Sequence, residues 1–154
     1  MKTQVTPNRW SCLPTAFAIA LDVRAGMLIK WLGHDGSRVV RPELAAPECY
    51  LGFHIQELIG YAWYMGHATT PFEANPRSTV GGEPHRIEFA NGNDTRILTA
   101  LYANLGVLTG QSVATGSHHA VAWDGERIYN PTGEVQGLED FAINTFWLLS
   151  RLVR

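Results

Sequence analysis

Cys12 is the residue in this chain best placed to do chemistry. It stands in Ser11-Cys12-Leu13-Pro14-Thr15-Ala16, at the expected start of an amphipathic helix. The first amides of a helix have no intrahelical partner and carry partial positive charge, so they favour a thiolate and can lower a thiol's pKa. The same amides can hold the oxyanion that forms when sulfur attacks a carbonyl. Far downstream, Ser117-His118-His119-Ala120-Val121 supplies an imidazole, and Asn130-Pro131 supplies a group to orient it. A thiol, an imidazole to accept and return its proton, and a third group fixing the ring's tautomer make up the machinery of nucleophilic acyl transfer. In that reading Cys12 is the nucleophile, His119 the general base and then acid, and Asn130 the orienting residue. The Cys12 amide and the side-chain amide of Gln4 could donate to the oxyanion.

The choice of His119 over His118 rests on a turn. Asp124-Gly125 is a strong signal for a two-residue hairpin loop, because a type I′ turn needs positive φ at both positions. Such a loop pairs Trp123 with Glu126, Val121 with Ile128 and His119 with Asn130. Directly opposed residues share a sheet face, so the hairpin alone would bring Asn130 to His119 and turn His118 the other way.

The elements that must carry these groups follow from periodicity. Leu13, Phe17, Ala20 and Leu21 form a helical stripe, with Pro14 tolerated in the first turn. A second helix is expected from Arg24 to Leu32, with Met27, Leu28 and Trp31 on one side and Gly33 as its stop. A third runs from about His54 to Met65 and buries Ile55, Leu58, Ile59 and Ala62. Residues Thr69 to Asp94 read mostly as loop, with a short strand at Arg86–Phe89. Asn93 or Asp94 caps a fourth helix bearing Ile97, Leu98, Leu101, Tyr102 and Leu105. Strands are expected at Gly106–Val113, His119–Trp123, Arg127–Asn130 and Asn144–Leu152. Helices first and strands last predict an α+β fold with an antiparallel sheet.

At 154 residues the chain is sized for one domain, 1–154, and 45% hydrophobic against 17% charged residues is a globular balance. A net charge of −2 without a basic tract argues against nucleic-acid binding and a membrane-surface patch. The N-terminal residues lack a signal-peptide core and no apolar run reaches spanning length, so a cytosolic protein is expected. Two cysteines, Cys12 and Cys49, outside any Cys-x-x-Cys pair, predict neither a structural disulfide nor a zinc site. Cys49 lacks the partners Cys12 has and reads as structural or incidental. His34, Asp35 and His54 read as a solvated turn rather than a metal site, and Tyr61, Trp63 and Tyr64 as helix packing. Gly81-Gly82 reads as flexible loop. No cofactor is called for.

The glutamine followed by Cys-Leu-Pro-Thr-Ala, then His-Ala-Val and a polar residue before proline, resembles the papain-like cysteine peptidases. The nearest branch is the bacteriocin-processing, double-glycine-leader peptidases and their small stand-alone relatives, some encoded by phages. The matched stretches are Gln4, Cys12 to Leu21 and His119 to Pro131. The resemblance implies a papain-like fold and hydrolysis of a peptide or isopeptide bond in a peptide or protein substrate through a thioacyl-enzyme. Two departures stand out. Asn130 replaces the family's usual aspartate, and Gln4 lies eight residues before Cys12 rather than about six, which leaves Asn8 as an alternative oxyanion donor. Two other readings use the same site: an idle binding module of this fold, and an amidase or deamidase acting on side chains.

Overall fold

The computed structural model describes residues 1–44, 51–74 and 95–153. Among the described residues, four α-helices and six strands run in the order α1 (Cys12–Ala20), α2 (Ala25–Leu32), α3 (Ile55–Tyr64), β1 (His67–Glu73), α4 (Thr95–Ala103), β2 (Gly106–Ser112), β3 (His118–Trp123), β4 (Ile128–Tyr129), β5 (Val135–Gln136) and β6 (Phe141–Arg151), with a 3-10 turn at Leu138–Asp140. The strands form one sheet in the order β1-β6-β2-β3-β4-β5, and each neighbouring pair is antiparallel. The fold is therefore α+β.

The sheet separates two cores. On one side α1, α2 and α3 bury Phe17, Ile19, Leu28, Leu58 and Tyr61 together with Val107, Ala120 and Ala122. On the other, Leu101 of α4 packs with Leu108, Val121, Trp123, Ile128, Ile143 and Phe146. β3 shows why the arrangement works: its side chains alternate between small Ala120 and Ala122 and large Val121 and Trp123. The alanines let α1 lie close against the strand, while Trp123 fills the opposite core and donates its Nε1–H to Leu101 O at 2.7 Å.

α1 departs from the amphipathic helix expected of it. Every residue from Pro14 to Ala20 is buried. The segment carries no charged side chain and is mostly small or apolar, so all its faces can be covered. α2 ends at Gly33, whose φ of 82° is the left-handed cap the sequence implied. Its expected inner side is only Leu28, since Met27 and Trp31 are exposed. On α3, Leu58 and Ala62 are buried as expected and Ile55 and Ile59 half-buried, with Tyr61 joining the core. Trp63 and Tyr64 stay out of the core, 63% and 66% exposed, and Tyr64 packs at the surface against Trp31 with ring centroids 5.4 Å apart. On α4, Tyr102 and Leu105 beyond its end are exposed.

β1 was not legible in the sequence, which reads there as loop from Thr69. It is an edge strand, where Pro71, opposite Trp147, can be accommodated. Cys49, Gly81-Gly82, the expected strand at Arg86–Phe89 and the caps Asn93 and Asp94 lie outside the described residues. No single helix among the described residues is long and apolar enough to cross a membrane.

Candidate active site

The turn after β3 is not the two-residue loop expected. Gly125 has φ 97°, but Asp124 is not in the left-handed region, so the type I′ geometry fails. Instead the Asp124 carboxylate accepts the amides of Glu126 and Arg127 at 2.9 and 2.7 Å, and the loop spans four residues. Burial works against this carboxylate's charge, yet the Arg127 and Glu126 amides and the Tyr129 hydroxyl hold its pKa below the ordinary value. The register is Trp123 opposite Ile128 and Ala122 opposite Tyr129. That is a slip of two residues from the expected pairing, and a slip of two preserves which face each side chain occupies. Asn130 becomes a diagonal rather than a direct neighbour of His119, still within reach.

His119 Nε2 lies 2.8 Å from Asn130 Oδ1. The surrounding bonds settle which atom carries the proton. Asn130 Oδ1 also accepts the Thr132 amide at 3.1 Å, and Asn130 Nδ2 donates to Gln136 Oε1 at 2.9 Å. A carbonyl oxygen cannot donate, so His119 holds its proton on Nε2 and presents Nδ1 as a free acceptor. Asn130 is buried, His119 half-buried and His118 exposed.

β4 leaves β3 after Tyr129, and the reason is local. Continued pairing would set Pro131 opposite Ala120, and proline has no amide to give. The Pro131 carbonyl is taken by the Thr6 amide at 2.8 Å, and Val5 bridges Thr132. The outer edge of β3 is thereby open at Ala120. The Cys12 thiol occupies that opening: the Ala120 amide, together with those of Leu13 and Cys12 itself, points at the sulfur. Cys12 therefore lies against the peptide joining His119 to Ala120.

The thiol's acidity runs opposite to the expectation from its helix position. Burial pushes the Cys12 pKa up, and the amides of Ala120, Leu13 and Cys12 offset this only in part.

Gln4 is not brought to this group. Its Nε2 donates to Val23 O at 2.7 Å and its Oε1 accepts the Ala25 amide at 2.9 Å. Those partners lie beyond the C-terminal end of α1, about 12 Å along the helix axis from Cys12 at the usual rise per residue. Gln4 is a clamp across the α1–α2 junction. Its amide is spent there, a correction to the oxyanion role expected of it. Asn8 does sit at the N-terminal end of α1, where its Oδ1 accepts the Trp10 amide at 2.9 Å and the Ser11 hydroxyl at 2.7 Å. Its Nδ2 donates to Asp35 O at 3.2 Å, so it too ties loops together. Sequence reasoning missed Gln136; no local motif marks it, and only the pairing of β4 with β5 brings it to Asn130.

The His34 region is a structural joint. The Gly36 amide donates to His34 Nδ1 at 3.2 Å, so Nε2–H donates to Glu57 Oε1 at 2.7 Å, while Glu57 Oε2 accepts the His54 amide at 2.9 Å. Asp35 is exposed and accepts the Ser37 amide and hydroxyl at 2.9 and 2.6 Å. Among the described residues no group of three His, Cys, Asp or Glu side chains is placed to hold a metal ion. Neither protein-family models nor curated proteins give a match to this chain.

Proposed function

We propose that the chain is a papain-like cysteine hydrolase that cleaves a peptide or isopeptide bond in a peptide or protein substrate. The observation that carries this reading is the thiol of Cys12 against the His119–Ala120 peptide, with His119 Nε2–H committed to Asn130 and Nδ1 free. On encounter with a substrate carbonyl, Nδ1 takes the thiol proton and sulfur forms a bond to the carbonyl carbon. In this reading the Cys12 amide, at the start of α1, donates to the developing oxyanion. Collapse breaks the carbon–nitrogen bond, and the imidazolium gives its proton to the leaving amine. A water molecule, deprotonated by the same Nδ1, then hydrolyses the thioester to release the acid and restore the thiol. Such a free thiol suits a reducing compartment, and we place the protein in the cytosol on that ground.

Cys12→Ala should abolish cleavage of any substrate found, with the fold retained on circular dichroism; full turnover in that variant would contradict the proposal. Product mass decides between bond cleavage and side-chain deamidation, which changes mass by about one dalton without a cut but begins with the same attack. One observation favours the idle binding module instead: burial raises the Cys12 pKa. The two readings part on whether His119 accelerates reaction of that thiol.

A further inference from the structure

We propose that Gln136 is a positioning residue for the catalytic imidazole, acting through the Asn130 carboxamide to hold His119 in the one tautomer that can accept the Cys12 proton. This rests on the hydrolase reading above and adds to it a residue outside the expected triad. The register places the group. β4 pairs with β5 through Ile128 opposite Gln136 and Tyr129 opposite Val135, and the Asn130 amide donates to Glu134 O at 2.9 Å. Gln136 is therefore two residues on from the position opposite Asn130, and on the same face. His119, Asn130 and Gln136 form a row of diagonal neighbours running across the sheet from β3 to β5.

The chemistry follows from the two ends of one carboxamide. Asn130 presents its oxygen to His119 and Thr132 and its nitrogen to Gln136. Flipping it would set two oxygens together at Gln136 and two N–H donors together at Thr132. It would also give His119 Nε2 a donor, which requires Nε2 to accept and moves the ring proton to Nδ1. An imidazole protonated at Nδ1 has no lone pair on that nitrogen to take the thiol proton. Gln136 Oε1 stabilises the productive orientation by accepting Asn130 Nδ2.

The test uses full-length protein with 15N-labelled histidine, the His119 signals being assigned by their loss in His119→Gln. Under conditions where the ring is neutral, wild type should show mainly the Nε2–H tautomer. Gln136→Leu, which removes the acceptor, should shift His119 toward the Nδ1–H form. It should also slow iodoacetamide alkylation of Cys12 at neutral pH about two- to tenfold, the range for one net hydrogen bond. Gln136→Glu keeps an acceptor oxygen and should restore both. An unchanged tautomer in Gln136→Leu overturns the inference, and so does a loss that Gln136→Glu fails to rescue. The tautomer is read without substrate or turnover. Should wild-type Cys12 prove indifferent to His119 while the tautomer still follows Gln136, the hydrolase reading fails and the positioning role stands.

Discussion

At the scale of residues, burial raises the Cys12 pKa and the amides of Ala120, Leu13 and Cys12 itself offset that in part. Because its folded pKa is raised, the unfolded chain gives up the thiol proton first as pH rises. This contribution to stability is complete below the ordinary thiol pKa of about 8.5 and is lost as pH climbs toward the folded value. Urea denaturation of wild type and Cys12→Ala should therefore show a steeper alkaline decline in wild type; parallel declines would mean the thiol is not desolvated. Asn130→Ala should cut the reactivity of Cys12 about tenfold by freeing the His119 ring, whereas Asn130→Asp, which retains acceptor oxygens, should keep most of it. The residue types of this group were legible in the sequence, since Cys12, His119 and Asn130 each sit beside a local signal. The direction of the thiol's pKa shift was not. It depends on how closely β3 covers the helix start, and no spacing in the sequence reports that.

At the scale of elements, the site is assembled by a strand that stops early. Pro131 ends the pairing of β4 with β3 and leaves the Ala120 amide to the thiol. The hairpin register was misread by two residues because Asp124 caps its own loop instead of entering a type I′ turn. The error left His119 and Asn130 on one face, where a slip of one would have separated them. Gly110 tests the central strands. A Cβ there would run into the Ala142 carbonyl oxygen, at the point where the β2–β6 register shifts. Gly110→Ala should cost about 1–3 kcal/mol, read by denaturant unfolding. Gln4→Ala, which frees Val23 O and the Ala25 amide, should cost about 1–2 kcal/mol in the same assay while sparing the alkylation of Cys12. A selective loss of reactivity without loss of stability would return Gln4 to the site.

On the scale of the whole molecule, one sheet serves two cores, and the uncharged helix bearing Cys12 is enclosed by one of them. Helices before strands were readable from hydrophobic period, and so was the α+β class. Gln136 and β1 were not, because both owe their positions to strand pairing across the sheet rather than to a local pattern. α1 is buried from Pro14 to Ala20, and the open edge of β3 sets the Ala120 amide against the thiol at its start. Phe17, fully buried in α1, should be costly to truncate: Phe17→Ala should lose about 3–5 kcal/mol and weaken the site together with the fold. The central claim, however, is that His119 takes the proton of Cys12. The rate of iodoacetamide alkylation at Cys12, followed against pH by peptide mass spectrometry in wild type and His119→Ala, tests it most directly, with Cys49 as the internal control. The account predicts labelling of wild type at neutral pH that falls on the order of a hundredfold in His119→Ala, leaving only an alkaline limb. Superimposable profiles, both rising only at alkaline pH, would show the imidazole idle and contradict it.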